Sequence, residues 1–261
     1  MKIEGSVVIV TGGAQGIGKA ISKSLLTLGA KVCIADVNNV EGDKTVKELV
    51  DAYGNSVIFQ QCDVTKDDDV RNAFKATTDT FGDVTITVNN AGILDEINFS
   101  RTIAVDLEAQ IRCTMIALEF MGRNNGGKGG TIVFNASAAG IVPIGVMPVY
   151  AAVKHGLVGF VRSMAISPRI EDWGVRFNAV CPISVDTNLS REENLRKVVG
   201  DPVVLDQLLK GMKTAHSVIL KPSDVAESVV KLIEDDSLNG KSLVVLEGKT
   251  IFVDPPVLDL Q

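Results

Sequence analysis

Near its start the chain runs from the apolar segment Ser6–Val10 directly into Thr11-Gly12-Gly13-Ala14-Gln15-Gly16-Ile17-Gly18, and helical periodicity opens at Lys19-Ala20-Ile21. A strand, a glycine turn and a helix in this order constrain the fold more than any other feature. Glycine lets the backbone turn sharply and approach another group without a Cβ clash. A helix that begins there offers unpaired N–H groups and a partial positive charge, the recipe for holding a phosphate. The spacing G-x-x-x-G-x-G differs from the commoner G-x-G-x-x-G, but its mechanics are the same. In isolation an ordinary glycine-rich turn would read no differently.

Asp36 adds a second sign. It ends the next apolar run, where a carboxylate accepts hydrogen bonds from an adenosine ribose and repels a 2′-phosphate. No Lys or Arg stands at Gln15, Val37 or Asn38. The expected cofactor is NAD rather than NADP. Without the glycine turn, Asp36 would read as a solvated strand end.

Short β-branched runs alternate with longer helical patterns along the chain. Strands are expected at Ser6–Val10, Lys31–Ala35, Val57–Gln60, Val84–Val88, Thr131–Asn135, Val175–Val180 and Ser242–Leu246. Helices between them are expected to reach about Leu28, Ala52 and Thr80, then to run Ser100–Met121, Val149–Ile166 and Ser223–Ile233. Near-continuous apolar strands separated by helices imply a parallel sheet covered on both faces. Right-handed crossovers make it a Rossmann-type, doubly wound α/β sheet of seven strands. No linker or repeat interrupts 1–261, so one domain is expected; the loop Gly126-Gly127-Lys128-Gly129-Gly130 is too short to divide it.

Composition excludes several function classes. The net charge is −6, and no basic run suggests nucleic acid. The four cysteines, Cys33, Cys62, Cys113 and Cys181, show no C-x-x-C spacing and sit in apolar stretches, as buried thiols of a reducing compartment do. The two histidines, His155 and His216, form no local metal motif, and no metal is expected. Neither a signal-peptide layout nor a membrane-length apolar run is present, so the expected location is cytoplasmic.

Tyr150 and Lys154 form Y-x-x-x-K, which places both side chains on one helix face. An ammonium beside a phenol favours the phenolate and lowers a pKa that starts near 10. Such a phenol can exchange a proton with an alcohol or a carbonyl. Ser137, at the end of the fifth strand, is placed to hold the substrate oxygen. Alone, the Tyr150/Lys154 pair would be an ordinary surface pair; only two tyrosines occur in the chain, and one falls here.

Taken together, Thr11-Gly12, Gly16-Ile17-Gly18, Asp36, Asp63-Val64, Asn89-Asn90-Ala91-Gly92, Ser137 and Tyr150…Lys154 resemble the short-chain dehydrogenase/reductase family along nearly the whole chain. Within it, Gln61-Cys62-Asp63-Val64, Asn124-Asn125-Gly126-Gly127, Pro148-Val149-Tyr150, Lys154-His155-Gly156 and Leu232-Ile233-Glu234 are most similar to the NAD-dependent branch that oxidises hydroxylated lipids of the prostaglandin type. The resemblance implies a catalytic group of Ser137, Tyr150 and Lys154. It implies that Cys62, Asp63 and Val64 surround the adenine, that Asn89 and Ala91 line the cofactor, and that Ile183 and Val185 lie by the nicotinamide. It also implies pairing of the helices 100–121 and 149–166 across a two-fold axis, in a homodimer or homotetramer.

Three positions depart from the family pattern. Asp106 stands where relatives have Asn, Ile183 where they have Gly, and Met147 where the prostaglandin branch has Gln. A carboxylate near Lys154 would oppose the field that favours the Tyr150 phenolate, and Ile183 would redirect the loop beside the nicotinamide. Segment 188–219, with Val203, Val204, Leu205, Leu208, Leu209 and Met212, reads either as an apolar lid over the substrate or as an ordinary helix core face. The expected reaction interconverts a secondary alcohol and a ketone on a small apolar molecule, an oxidised lipid or sterol, contacted by Ser137, Met147 and Tyr150. Two alternatives stay open: a non-redox dehydratase or isomerase on the same scaffold, and a weakly catalytic NAD-binding protein.

Overall fold

The computed structural model describes residues 1–213 and 219–255. Its first half alternates regularly: β1 (Val7–Thr11), α1 (Gly16–Thr27), β2 (Lys31–Asp36), α2 (Asn39–Tyr53), β3 (Val57–Gln61), α3 (Asp67–Phe81) and β4 (Ile86–Asn89). A long helix follows in three parts, α4 (Phe99–Ile103), a π turn (Ala104–Glu108) and α5 (Ala109–Met121). Then come β5 (Gly130–Asn135), α6 (Pro148–Ala165), the short α7 (Ile170–Trp173) and β6 (Val175–Pro182). The chain continues through α8 (Glu192–Val198), α9 (Pro202–Lys213), α10 (Pro222–Glu234), β7 (Ser242–Leu246) and β8 (Lys249–Val253).

The strands form one sheet in the order β3-β2-β1-β4-β5-β6-β7-β8. It holds eight strands rather than the seven expected from sequence. Strands β1 to β7 pair in parallel, and β8 returns antiparallel along β7, with Leu246 opposite Lys249. Gly248 makes that tight reversal at φ +66°. The eighth strand escapes a reading by apolar runs because it lies at the sheet edge and is largely exposed, with Lys249 and Thr250 at its start. An edge strand satisfies one side of its ladder only and needs no continuous apolar face.

Each face of the sheet carries its own apolar layer. On one, Phe74 of α3, Cys113 and Met121 of α5, and Leu157 and Val161 of α6 pack on Ile132, Phe134 and Phe177. On the other, Ile21 and Leu25 of α1 and Val229 and Leu232 of α10 pack on Val8, Ile34, Ile86 and Val133. Two-sided burial explains why the strands read as β-branched runs without alternation. Among the described residues no helix is long and apolar enough to cross a membrane.

The turn after β1 depends on missing side chains. Gly12 holds φ +61°. A Cβ on Gly18 would lie 2.1 Å from the Gly12 carbonyl oxygen and 2.6 Å from the Asn90 amide nitrogen. Neither neighbour is free to move, because Asn90 is itself bonded to the backbone of residues 11 and 12. Gly18→Ala is expected to destabilise the fold by about 2 kcal/mol or more, read as a fall in urea midpoint; an unchanged midpoint would show that the turn has slack.

Candidate active site

A cleft of about 1280 Å³ opens along the carboxyl ends of the parallel strands. It lies where the strand order reverses, with β1 between β2 and β4, the place where open α/β sheets bind ligands. At one end it is lined by Gly12, Gln15, Gly16, Ile17 and Gly18. No side chain of Gln15 caps α1, and the amide oxygen of Gln15 instead accepts a hydrogen bond from Asn188 at 2.9 Å. Asp36 and Val37 border the same end, followed by Cys62, Asp63 and Val64. The Asp36 carboxylate is nearly buried and already oriented: it accepts from the backbone N–H of Ala14 at 3.0 Å and of Asn38 at 2.9 Å. Asp63, partly exposed, accepts from the N–H and hydroxyl of Thr65.

Asn89 and Asn90 separate at this point. Asn89, expected to line the cofactor, does not border the cleft. It is fully buried on the opposite face, donating to the Thr114 hydroxyl at 3.1 Å, because successive strand residues point to opposite sides. Asn90 borders the cleft in its place. It donates to the carbonyls of Thr11 at 2.9 Å and Gly12 at 3.0 Å and accepts from Asn135 at 2.9 Å, tying together the ends of β1, β4 and β5. Ala91 lines the cleft as expected.

Ser137, Tyr150 and Lys154 meet in the middle of the cleft. Tyr150 and Lys154 lie on the first turns of α6, whose Pro148 supplies a preset φ at a position that needs no N–H. The Lys154 ammonium sits 5.3 Å from the centre of the Tyr150 ring. Behind Lys154 is Asp106, carried by the π turn, with the carboxylate oxygen 2.9 Å from the ammonium nitrogen. The other oxygen accepts from the N–H of Ile93 at 2.7 Å. The insertion in a π turn is a recurrent feature of functional helices, and here it delivers a fully buried carboxylate to Lys154. Gly92 crosses directly over this pair: a Cβ there would come 3.1 Å from the Asp106 oxygen.

Beyond Tyr150 the cleft turns apolar. Leu94, Leu195 and Val199 form a third buried cluster, against which Met147, Tyr150, Val198, Val204, Leu205, Leu208 and Leu209 pack. Of these, Leu195, Val198 and Leu208 border the cleft, whereas Val199, Val204, Leu205 and Leu209 pack behind them. Val203 does not take part and is exposed. The Met212 side chain, His216 and the rest of 214–218 lie outside the described residues. Ile183 and Val185 border the cleft where expected. Ile183 is unstrained, since among the described residues only glycines hold positive φ, and it is anchored by its N–H to Val245.

All four thiols are buried. Burial pushes Cys33 up to about 11 and Cys113 and Cys181 up to about 12. Among the described residues no group of His, Cys, Asp or Glu is arranged to hold a metal ion.

Comparison with known proteins decides the lineage. Residues 6–197 match the family model described as short chain dehydrogenase. The chain belongs to the short-chain dehydrogenase family. It is 39% identical over 256 residues to 15-hydroxyprostaglandin dehydrogenase [NAD(+)] of Bos taurus, spanning 96% of this chain and 94% of the relative. Its identity to zerumbone synthase of Zingiber zerumbet is 31%, spanning 96% of this chain and 97% of that protein. Levodione reductase superimposes with a TM-score of 0.77 at 27% identity, over 93% of this chain and 95% of that one.

In this short-chain dehydrogenase the buried carboxylate changes the electrostatics. Burial raises the Tyr150 phenol above its ordinary value; Lys154 pulls it down, Asp106 pushes it up, and a hydrogen bond with Ser137 pulls it down. Lys154 therefore acts in the expected direction but is outweighed. Burial by itself would lower Lys154, yet the charge of Asp106 and the neighbouring phenol together hold it above the usual lysine range. Burial raises Asp106, which Lys154 and the Ile93 N–H only partly offset. Asp106→Ala would strand a buried ammonium at a cost of about 3–5 kcal/mol, so the isosteric change is the informative one. Asp106→Asn removes the same charge but keeps an oxygen that can accept from Lys154, and where Lys154 stays protonated it acts on the phenol unopposed. The phenolate needed for alcohol oxidation then forms at lower pH, and the rising limb of the rate profile is expected to move to lower pH. A limb that stays in place would show that the carboxylate does not reach the phenol.

Proposed function

We propose that this protein interconverts a secondary alcohol and a ketone on an apolar, lipid-like substrate of the kind its prostaglandin-oxidising relatives act on, with NAD as cofactor. The observation that carries this reading is the junction at Tyr150: its ring belongs to the apolar cluster of Leu94, Leu195 and Val199, and it shares its cleft with the glycine turn and Asp36. A ligand between them would meet acid/base chemistry at the boundary of an apolar chamber and a nucleotide cradle.

The residues present suit NAD. The first turn of α1 opens onto the cleft without a side-chain cap, ready for a pyrophosphate. The oriented Asp36 carboxylate, flanked by Val37 and Asn38, favours a free ribose 2′-hydroxyl and repels a phosphate. A bound nicotinamide would supply the hydride acceptor for alcohol oxidation. Ser137 holds the alcohol oxygen, and Tyr150 takes the hydroxyl proton onto its own phenolic oxygen. Lys154, held by Asp106, supplies the positive charge that favours the phenolate and would also hold the nicotinamide ribose. Leu94, Met147 and Leu195 exclude water from the side where an apolar chain would lie.

NADH fluorescence with a 15-hydroxyprostaglandin, a hydroxysteroid and short secondary alcohols tests the reading. Turnover is expected with an apolar substrate and not with short alcohols. Tyr150→Phe is expected to lower kcat at least about a hundredfold and to leave NAD affinity within about twofold, since the ring still packs. A phenylalanine variant that keeps most of its kcat would remove Tyr150 from the acid/base role. NAD binding without turnover across the panel would instead favour a non-redox or binding function.

Self-association belongs to the same reading. Phe99, Ile103 and Met115 stand exposed along the 99–121 helix, an apolar row that a second copy would cover. Light scattering is expected to give a mass of at least twice the 27.7 kDa chain; a species of single-chain mass would end the idea.

A further inference from the structure

Catalytic helix α6 begins without a cap of its own. Met147, at its N-terminal boundary, has no side chain able to accept from the first turn. The two N–H groups that Pro148 leaves to be satisfied are taken instead by Glu96, from the loop after β4. One carboxylate oxygen accepts from Val149 at 3.0 Å and the other from Tyr150 at 2.8 Å. A carboxylate is the group a helix N-terminus favours. The residue it grips is the candidate acid/base itself.

The same residue holds the cover of the cleft. The backbone N–H of Glu96 donates to the carbonyl of Val198, the last residue of α8, at 3.0 Å. Next to it, Leu94 packs with Leu195 and Val199. The intervening loop is stiff. Asp95 accepts from the N–H groups of Ile97 and Asn98, and its carbonyl accepts from the Thr102 hydroxyl at 2.7 Å. Residues 94–98 therefore add a backbone and carboxylate link between two elements that otherwise meet only through the apolar cluster of Leu94, Leu195 and Val199: the cover formed by α8, and the backbone that aims the Tyr150 phenol.

We propose that Glu96 is a positioning residue that couples the placement of the α8 cover to the placement of Tyr150, so that the acid/base is correctly aimed only when the substrate end of the cleft is covered. This rests on the reading of Tyr150 as the acid/base. When α8 swings away, the loop is drawn with it and the carboxylate loosens its hold on the first turn of α6. When α8 seats on Leu94, the hold is restored.

Hydrogen exchange on the full chain with NAD bound, with the variants Glu96→Gln, Glu96→Asp and Glu96→Ala, tests this. Glutamine keeps the shape but offers one acceptor oxygen instead of two; aspartate keeps the charge but reaches one amide at most. In Glu96→Gln, exchange is expected to rise about tenfold both at the start of α6 and across α8, while β1 and α1 stay protected. Glu96→Asp should fall between Glu96→Gln and the native chain. A simple helix cap would loosen α6 alone, so unchanged α8 exchange overturns the proposal, as does loosening that spreads equally to β1 and α1. With a 15-hydroxyprostaglandin as probe, kcat is expected to fall about tenfold with NAD affinity unchanged. An unchanged kcat below the melting temperature would also overturn it. If Glu96→Ala does not fold, the two conservative variants still decide. If the native chain does not oxidise the probe, the functional reading fails while the exchange result still judges the coupling.

Discussion

A parallel sheet whose order reverses at β1 leaves a crevice at its carboxyl edge, and the candidate site depends on that opening. Helices must depart to opposite faces from β1 and β4, so their first turns diverge and the strand ends stand bare. The chain fills the bare ends with groups too close for side chains. Asn90 bonds across to residues 11 and 12, Gly18 presses against Gly12, and Gly92 passes over Lys154. These contacts hold the cleft floor in one arrangement, as acid/base chemistry beside a bound cofactor requires.

On that floor the main electrostatic choice is a buried ion pair. Taking Lys154 and Asp106 out of water is costly, and their attraction offsets that cost only with good geometry. The structure supplies it through the π turn, the Ile93 N–H and the exclusion of side chains at Gly92. The same arrangement tempers the lysine, whose field is shared between a phenol in front and a carboxylate behind. An asparagine in the place of Asp106 would leave that field to the phenol.

Much of this was legible in the sequence, for physical reasons that differ from part to part. The glycine turn, Asp36 and Tyr150/Lys154 follow from local rules: φ freedom, strand-end position and helix spacing. Strands β1 to β7 follow because two-sided burial writes itself as β-branched runs. The eighth strand did not, because an exposed edge strand needs no such run. Asn89 and Asn90 were exchanged, since a sequence does not say which face of a strand looks into the crevice. Glu96 left no sign at all. A glutamate that caps a helix about fifty residues further along the chain obeys no spacing rule and becomes visible only when loop and helix are brought together. The π turn follows no apolar spacing either; what it does, bringing Asp106 against Lys154 and the Ile93 N–H, shows only in the fold.

The four buried thiols have a consequence for how such a protein answers its surroundings. Oxidants and electrophiles attack the thiolate, and a thiol held at about 11, as Cys33 is, exposes roughly one part in ten thousand as thiolate at neutral pH. Cys181 stands close to Ser137 and Tyr150, Cys62 lies at the nucleotide end of the cleft, and both are raised as well, chiefly by burial. Peroxide or glutathione disulfide would thus find no handle near the chemistry. The redox state of the surroundings reaches the reaction through a different variable, the ratio of oxidised to reduced nicotinamide, and the direction of turnover follows that ratio.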